Sequence, residues 1–289
     1  MPTLKLTKPN FTGQHLFVGL DISNRAWKTS IMTQDLEHKT FTQPPEVEVL
    51  VNYLWRNFPG AQVHCVYEAG YNGFWLYEQL KAHHIDCIVV NPADVPTKHR
   101  EKAFKTDRID ARKLARSLRN GELDAVYVPS RKAQEDRSLV RTRARLVNKQ
   151  TRCKNQIKGL LSYYGISVPA DIETHWSRRF ITWLEGLELR HPSGTASFRT
   201  LIEELLFLRA SLARTTTQLR LLALEEPYRT PARCLMSIPG ISTLTAMILL
   251  TELVDIHRFK GLDHLASYVG LVPGEHSSGE TAIITGISM

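Results

Sequence analysis

Cysteine is scarce and scattered: Cys65, Cys87, Cys153 and Cys234 are the only four. No two form a Cys-x-x-Cys pair, which argues against a zinc site and gives no disulfide framework. Reduced thiols in a cytoplasmic protein are the expectation. No uninterrupted apolar run reaches the roughly 20 residues that a membrane-spanning helix needs. Residues 1–14 are polar and lack the apolar stretch of a secretory signal, so they read as a loose leader to a soluble chain with no membrane partner. A glycine-rich phosphate loop is also missing; Gly70-Tyr71-Asn72-Gly73 is too short a signal. That absence counts against a sugar or acetate kinase of the actin-like class, which an Asp-bearing first strand followed by a hairpin would otherwise suggest. Finally, acids are missing from Arg137 to Lys158, a stretch that holds Arg137, Arg141, Arg143, Arg145, Lys149, Arg152, Lys154 and Lys158.

What is present is a chain of 289 residues with 43% apolar side chains, enough for one large or two ordinary domains. The net charge is +8, and its clustering favours a polyanionic partner. Leu16 to Ile22 reads as a buried strand with Asp21 near its end. Ala26 to Met32 follows as a second strand after a turn at Ser23-Asn24, and Thr40 and Phe41 mark a third. Pro44-Pro45-Glu46 opens a helix carrying Val47, Leu50, Val51, Leu54 and Phe58. Val63 to Tyr67 is a strand ending at Glu68, Phe74 to Ala82 a helix, and Cys87 to Val90 a strand closed by Asn91-Pro92. This order predicts a mixed sheet covered by helices.

The next helix carries the most informative stretch, Lys105-Thr106-Asp107-Arg108-Ile109-Asp110-Ala111-Arg112. Asp107 and Asp110 are three residues apart and share one helix face. Two acids at a helix start can simply complement the macrodipole. Asp21 and Glu68, however, both fall at the C-terminal ends of strands, where open α/β sheets place ligands. Four converging carboxylates would suit a hard divalent cation such as Mg²⁺, with water and phosphate completing the shell. Paired ions of this kind stabilise both oxygens of an in-line phosphoryl displacement. Flanking Lys105, Arg108 and Arg112 would hold neighbouring phosphates. The combination points to phosphodiester chemistry on nucleic acid.

Val18-Gly19-Leu20-Asp21, Val66-Tyr67-Glu68-Ala69-Gly70 and Lys105-Thr106-Asp107-Arg108-Ile109-Asp110-Ala111 together resemble the Asp, Glu and Asp-x-x-Asp motifs of the DEDD transposases. These form the insertion-sequence one-ten family and its relatives, including the pilin-gene invertases. The resemblance implies an RNase H-like, RuvC-like catalytic domain over residues 15–125, with Asp21, Glu68, Asp107 and Asp110 binding Mg²⁺ at a DNA cleavage site. It also implies a structured guide RNA and assembly as a dimer or tetramer.

The acid-free stretch is a basic amphipathic helix, with Arg137, Arg141, Arg145, Lys149 and Arg152 as expected nucleic-acid contacts. Leu201, Leu205, Leu208, Leu212, Thr215, Leu219 and Leu222 alternate in steps of four and three, an a/d seam. Residues 130–225 therefore read as a helical, coiled-coil arm, its seam serving either a hairpin on the basic helix or dimerisation. Residues 230–289 read as a small, mostly α C-terminal domain. Ser237-Ile238-Pro239-Gly240-Ile241-Ser242 is similar to a helix-hairpin-helix turn before the helix Leu244–Leu253, and Phe259 to Val272 reads as a second helix. Ser277-Ser278-Gly279 alone reads as a loop. By the family resemblance Ser278, or less favourably Ser277, is a nucleophile that attacks a DNA phosphodiester. The resemblance runs from Leu16 to Gly279 and then breaks: no Lys or Arg follows Lys260, where the family continues with a basic run and a helix. A shortened C-terminus, leaving little activity, is the corresponding expectation. The sequence is thus read as a transposase or site-specific recombinase using Mg²⁺ and a serine. The alternatives are a water-using, resolvase-like nuclease and an inactive nucleic-acid-binding remnant.

Overall fold

The computed structural model describes residues 10–96, 107–172, 175–278 and 281–287. It forms two compact units, residues 1–128 and 129–289.

The first unit is built on a five-stranded sheet. Its strands are β1 (His15–Ile22), β2 (Trp27–Met32), β3 (Glu37–Gln43), β4 (Gln62–Glu68) and β5 (Asp86–Val90), in the order β3-β2-β1-β4-β5. β1–β2 and β2–β3 pair antiparallel, whereas β1–β4 and β4–β5 pair parallel. Among the described residues three α-helices complete the unit: α1 (Val47–Asn57), α2 (Trp75–Ala82) and α3 (Asp107–Arg119). This mixed α/β arrangement is consistent with an RNase H-like fold. The period of two along β1 explains the layering. Leu16, Val18 and Leu20 point to one face, where they join Leu50 and Leu54 of α1 and Leu76 and Leu80 of α2 in a buried core. On the opposite face, Val66 of β4 and Val90 of β5 pack with Leu114 of α3.

The second unit is helical. Its helices are α4 (Arg131–Tyr163), α5 (Arg178–Glu185), α6 (Pro192–Leu222), α7 (Arg229–Met236), α8 (Thr243–Leu253) and α9 (Leu262–Tyr268). A short antiparallel pair, β6 (Pro273–Ser278) and β7 (Thr281–Ile287), follows. Among the described residues no helix is long and apolar enough to cross a membrane.

The two long helices α4 and α6 form an antiparallel hairpin. Arg143 donates to Thr216 Oγ1 at 3.0 Å, and the Cys153 thiol faces the Leu201 carbonyl at 3.3 Å, so sequence rises along one helix as it falls along the other. The apolar seam of α6 is met inside the chain. Leu205 and Leu208 pack with Cys153, Ile157 and Leu161 of α4, and Leu219 and Leu222 pack with Val140. The heptad-like spacing is therefore explained by intramolecular packing. Tyr228 and Met247 join the same core as Val140 and Leu219, so the C-terminal helices share the base of the hairpin.

Two local expectations differ from the structure. Phe259 to Val272 is not one helix: a 3₁₀ turn at Ile256–Arg258 precedes an extended Gly261, and α9 begins only at Leu262. The Ser277-Ser278 stretch is backbone-paired strand, with Ser278 opposite Thr281. The run Thr281-Ala282-Ile283-Ile284-Thr285 is rich in β-branched residues, which favour the pleated conformation.

The basic helix α4 is not uniformly open. Arg137 Nε donates to the Thr251 carbonyl at 2.8 Å, and Arg141 grips Glu252 with two hydrogen bonds of 2.7 and 2.8 Å. The Arg137 side chain is only 15% exposed. It satisfies last-turn carbonyls of α8 that have no intrahelical donor. The Glu252 hydrogen bond holds the Arg141 guanidinium above its usual range. By contrast Arg145, Lys149 and Arg152 are exposed and lie along one face. Arg137→Ala is expected to destabilise the second unit by about 1–3 kcal/mol, because it takes the Nε donor from the carbonyl of buried Thr251. Arg145→Ala should change stability by less than about 0.5 kcal/mol. Urea denaturation of both variants checks the contrast.

Candidate active site

The site begins with the parallel register of β1 and β4. Leu20 is opposite Tyr67 in that ladder, so the next residues, Asp21 and Glu68, emerge side by side at the C-terminal edge of the sheet. Both are partly buried. Glu68 is flanked on its other side by Val90 of β5.

The third acid arrives from α3. This helix lies against β1 at Gly19, and the contact is backbone to backbone. A β-carbon on Gly19 would collide with the Ala111 carbonyl oxygen and lie 2.5 Å from the Ala115 amide nitrogen. Ala111 and Ala115 are small and fully buried, and Leu114 between them is 1% exposed. The small residues on both elements allow this approach. It brings Asp110, one turn before Leu114, to the end of β1. Asp21, Glu68 and Asp110 thereby line one pocket of about 140 Å³, together with Leu20, Ile22, Ala69, Gly70, Tyr71, Asn72 and Leu114.

The pocket wall after β4 is tied down. Asn72 Nδ2 donates to the Ile22 carbonyl at 3.3 Å, and the Tyr67 hydroxyl donates to the Gly73 carbonyl at 3.1 Å. Gly73 has φ +60°, a left-handed conformation that suits glycine. Burial pushes the Tyr67 phenol well above its usual range, so it stays a neutral donor.

Three of the four expected acids thus share one concavity. Asp107 is the first residue of α3, but its side chain and that of Arg108 lie outside the described residues, as does Lys105. Arg112 Nε donates to Glu37 Oε2 of β3 at 2.6 Å, an ion pair that ties α3 to the sheet. Ser277 and Ser278 are described as backbone of β6, and their side chains lie outside the described residues. Among the described residues no three carboxylate, histidine or cysteine side chains stand close enough to hold one metal ion. The acids form walls of a small pocket with hard oxygen donors. That set fits Mg²⁺, which usually takes only one or two protein carboxylates and keeps several waters.

Two features escaped the motif reading. Gly19 sits inside an apolar strand, where an isolated glycine signals a close approach of another backbone. Asn72 anchors its loop to β1, a partnership fifty residues apart that no local pattern reveals.

The site thus joins acids at the ends of two adjacent parallel strands with another on a helix laid across them, in a mixed α/β unit consistent with an RNase H-like fold. Residues 18–166 match the DEDD family model described as Transposase, and residues 232–289 match the model described as Transposase IS116/IS110/IS902 family. The chain belongs to this IS110 transposase family. The y4qE protein of Sinorhizobium fredii is 33% identical over 229 residues, covering 78% of this chain and 54% of y4qE. The transposase for insertion sequence element IS1533 of Leptospira borgpetersenii is 26% identical over 245 residues, 83% of this chain and 70% of its own length. The pilin gene-inverting protein of Moraxella lacunata is 24% identical over 281 residues, 91% of this chain and 74% of that protein. The chain thus spans about half of y4qE and larger parts of the other two.

Gly19→Ala is expected to force α3 off β1. Overpacking against backbone should cost about 1–3 kcal/mol in the first unit. Chemical denaturation followed by tryptophan fluorescence, to which buried Trp27 of β2 contributes, measures it.

Proposed function

We propose that this chain acts as an insertion-sequence transposase or recombinase that cuts and rejoins DNA strands. The observation that carries the reading is the meeting of Asp21, Glu68 and Asp110 in one pocket at the C-terminal edge of the sheet. Asp107, on the same face of α3 as Asp110, would be the fourth acid. These residues would hold Mg²⁺. When bound there, the ion would offset carboxylate charge and stabilise negative charge on the phosphate oxygens.

The chain's own groups divide the remaining work. Ser278 is the proposed nucleophile. Its oxygen would form a bond to phosphorus as the bond from phosphorus to the leaving deoxyribose oxygen breaks. The serine proton passes to solvent or to a neighbouring base, and the leaving oxygen takes up a proton. The product is a phosphoserine-linked strand, which a later attack by a DNA hydroxyl resolves. Serine is weakly nucleophilic when free, so this step depends on activation. Arg145, Lys149 and Arg152, exposed along one face of α4, would contact phosphates independently of sequence. Lys105, Arg108 and Arg112 would flank the cut strand, Arg112 from within its ion pair with Glu37. A structured guide RNA and a dimeric or tetrameric assembly accompany this reading through the family. The RNase H-like assignment of the first unit is part of it as well.

The test is covalent trapping. The full chain is incubated with labelled element-end DNA, Mg²⁺ and the candidate guide RNA, then run on a denaturing gel beside Ser278→Ala and Asp110→Asn. A protein–DNA adduct in the wild type, lost in both variants, is the expected result. Cleaved DNA without an adduct, unchanged in Ser278→Ala, would instead establish a water-using nuclease. Nucleic-acid binding with no product from any protein would establish an inactive remnant.

A further inference from the structure

Gly70, Tyr71 and Asn72 form a wall of the acid pocket that the chemistry above does not use. Four observations single out Tyr71 within it. Its side chain is 71% exposed, so it contributes little to the core. It lines the same pocket as Asp21, Glu68 and Asp110. Its neighbours are fixed: Asn72 is bonded to the Ile22 carbonyl, the Gly73 amide donates to the Gly70 carbonyl at 3.1 Å, and the Gly73 carbonyl accepts from buried Tyr67. Trp75, four residues on, has an ordinary structural role, because its ring packs 6.0 Å from that of buried Trp27. Tyr71 is therefore an aromatic ring held out to solvent on a braced loop beside three carboxylates.

An exposed aromatic ring is costly to leave in water and useful where a flat apolar face arrives. A ribose–phosphate backbone entering an acidic pocket carries its bases with it, and any unpaired base offers a π-face. Stacking on tyrosine tolerates every base, since it reads no hydrogen-bonding edge. A small carboxylic substrate would offer no such face and would not suit the acids. Tyrosine also has only two side-chain torsions, so ordering it on binding costs little.

We infer that Tyr71 is a positioning residue whose ring stacks on an unpaired base of the nucleic-acid strand seated in the Asp21–Glu68–Asp110 pocket. The inference rests on that pocket being the cleavage site proposed above. The stack sets which phosphate lies over the acids, and it requires at least one unpaired nucleotide there.

The test uses the full chain and single-stranded oligonucleotides in which 2-aminopurine is moved one position at a time. Ca²⁺ replaces Mg²⁺ so that binding is read without cleavage. Wild type is expected to quench the probe at one or two positions. Tyr71→Ala should lose that quench and bind about tenfold more weakly. Tyr71→Phe and Tyr71→Trp should restore both, because the ring and not the hydroxyl is required. Thermal unfolding should be unchanged in all three variants, given the exposure of the side chain. Quenching at no position, an unchanged quench and affinity in Tyr71→Ala, or Tyr71→Phe behaving as Tyr71→Ala would each overturn the inference. Cleavage by Asp110→Asn, run in parallel, separates the two claims. Loss of cleavage with an unaltered Tyr71→Ala quench removes the stacking role alone. Wild-type cleavage by Asp110→Asn removes the pocket reading and this inference with it.

Discussion

The contact between α3 and β1 at Gly19 is the constraint on which the first unit depends. Helices normally stand off a sheet by the depth of two layers of side chains. Here the strand contributes none at the crossing, and the helix contributes alanines, so backbone meets backbone. Two consequences follow from one absent methyl group. The helix is fixed in rotation, because only its Ala111–Ala115 face can come this close. Its first turn is then carried to the edge where β1 and β4 end. Asp21 and Glu68 reach that edge through ladder register, and Asp110 reaches it through helix packing. The proposed Mg²⁺ would offset the negative charge of these carboxylates. The Arg112–Glu37 ion pair adds a second attachment of the helix to the sheet, exposed and therefore weaker than the buried crossing.

The second unit uses its basic residues in two distinct ways. At the base of the hairpin, Arg137 and Arg141 are spent on the end of α8, where they satisfy carbonyls and neutralise Glu252. Further along α4, Arg145, Lys149 and Arg152 face solvent. One charge run thus combines a structural clamp with a cationic face. The apolar seam of α6 fits the same picture, since its leucines are taken up by α4 and α5 within the chain.

Much of this was legible in the residues themselves. Strand positions in the first unit follow from short apolar runs closed by turn residues, and the acids at their ends follow from the same runs. The family resemblance rests on the Asp, Glu and Asp-x-x-Asp motifs around Asp21, Glu68, Asp107 and Asp110. What was not legible has a common cause. Arg137 and Arg145 look alike in a charge run, and only the packing of α8 separates them. The seam of α6 could serve a hairpin or a dimer, since a/d spacing says that a partner exists and not which one. Gly261 and the paired strands β6 and β7 interrupt a pattern that periodicity alone extends into a helix and a loop. For the arginines and the seam, a tertiary neighbour decided between readings that local propensity leaves equal.

The proposed divalent-cation site would depend on the close approach at Gly19, which brings together acids from three separate elements. Calorimetric titration of the full chain with Mn²⁺, in the absence of nucleic acid, tests it most directly. The account predicts saturable binding in the wild type, weakened by about tenfold or more in both Gly19→Ala and Asp110→Asn, with the effect of Gly19→Ala acting through support of the ligands. A folded Gly19→Ala or Asp110→Asn variant that binds Mn²⁺ as tightly as the wild type would contradict it.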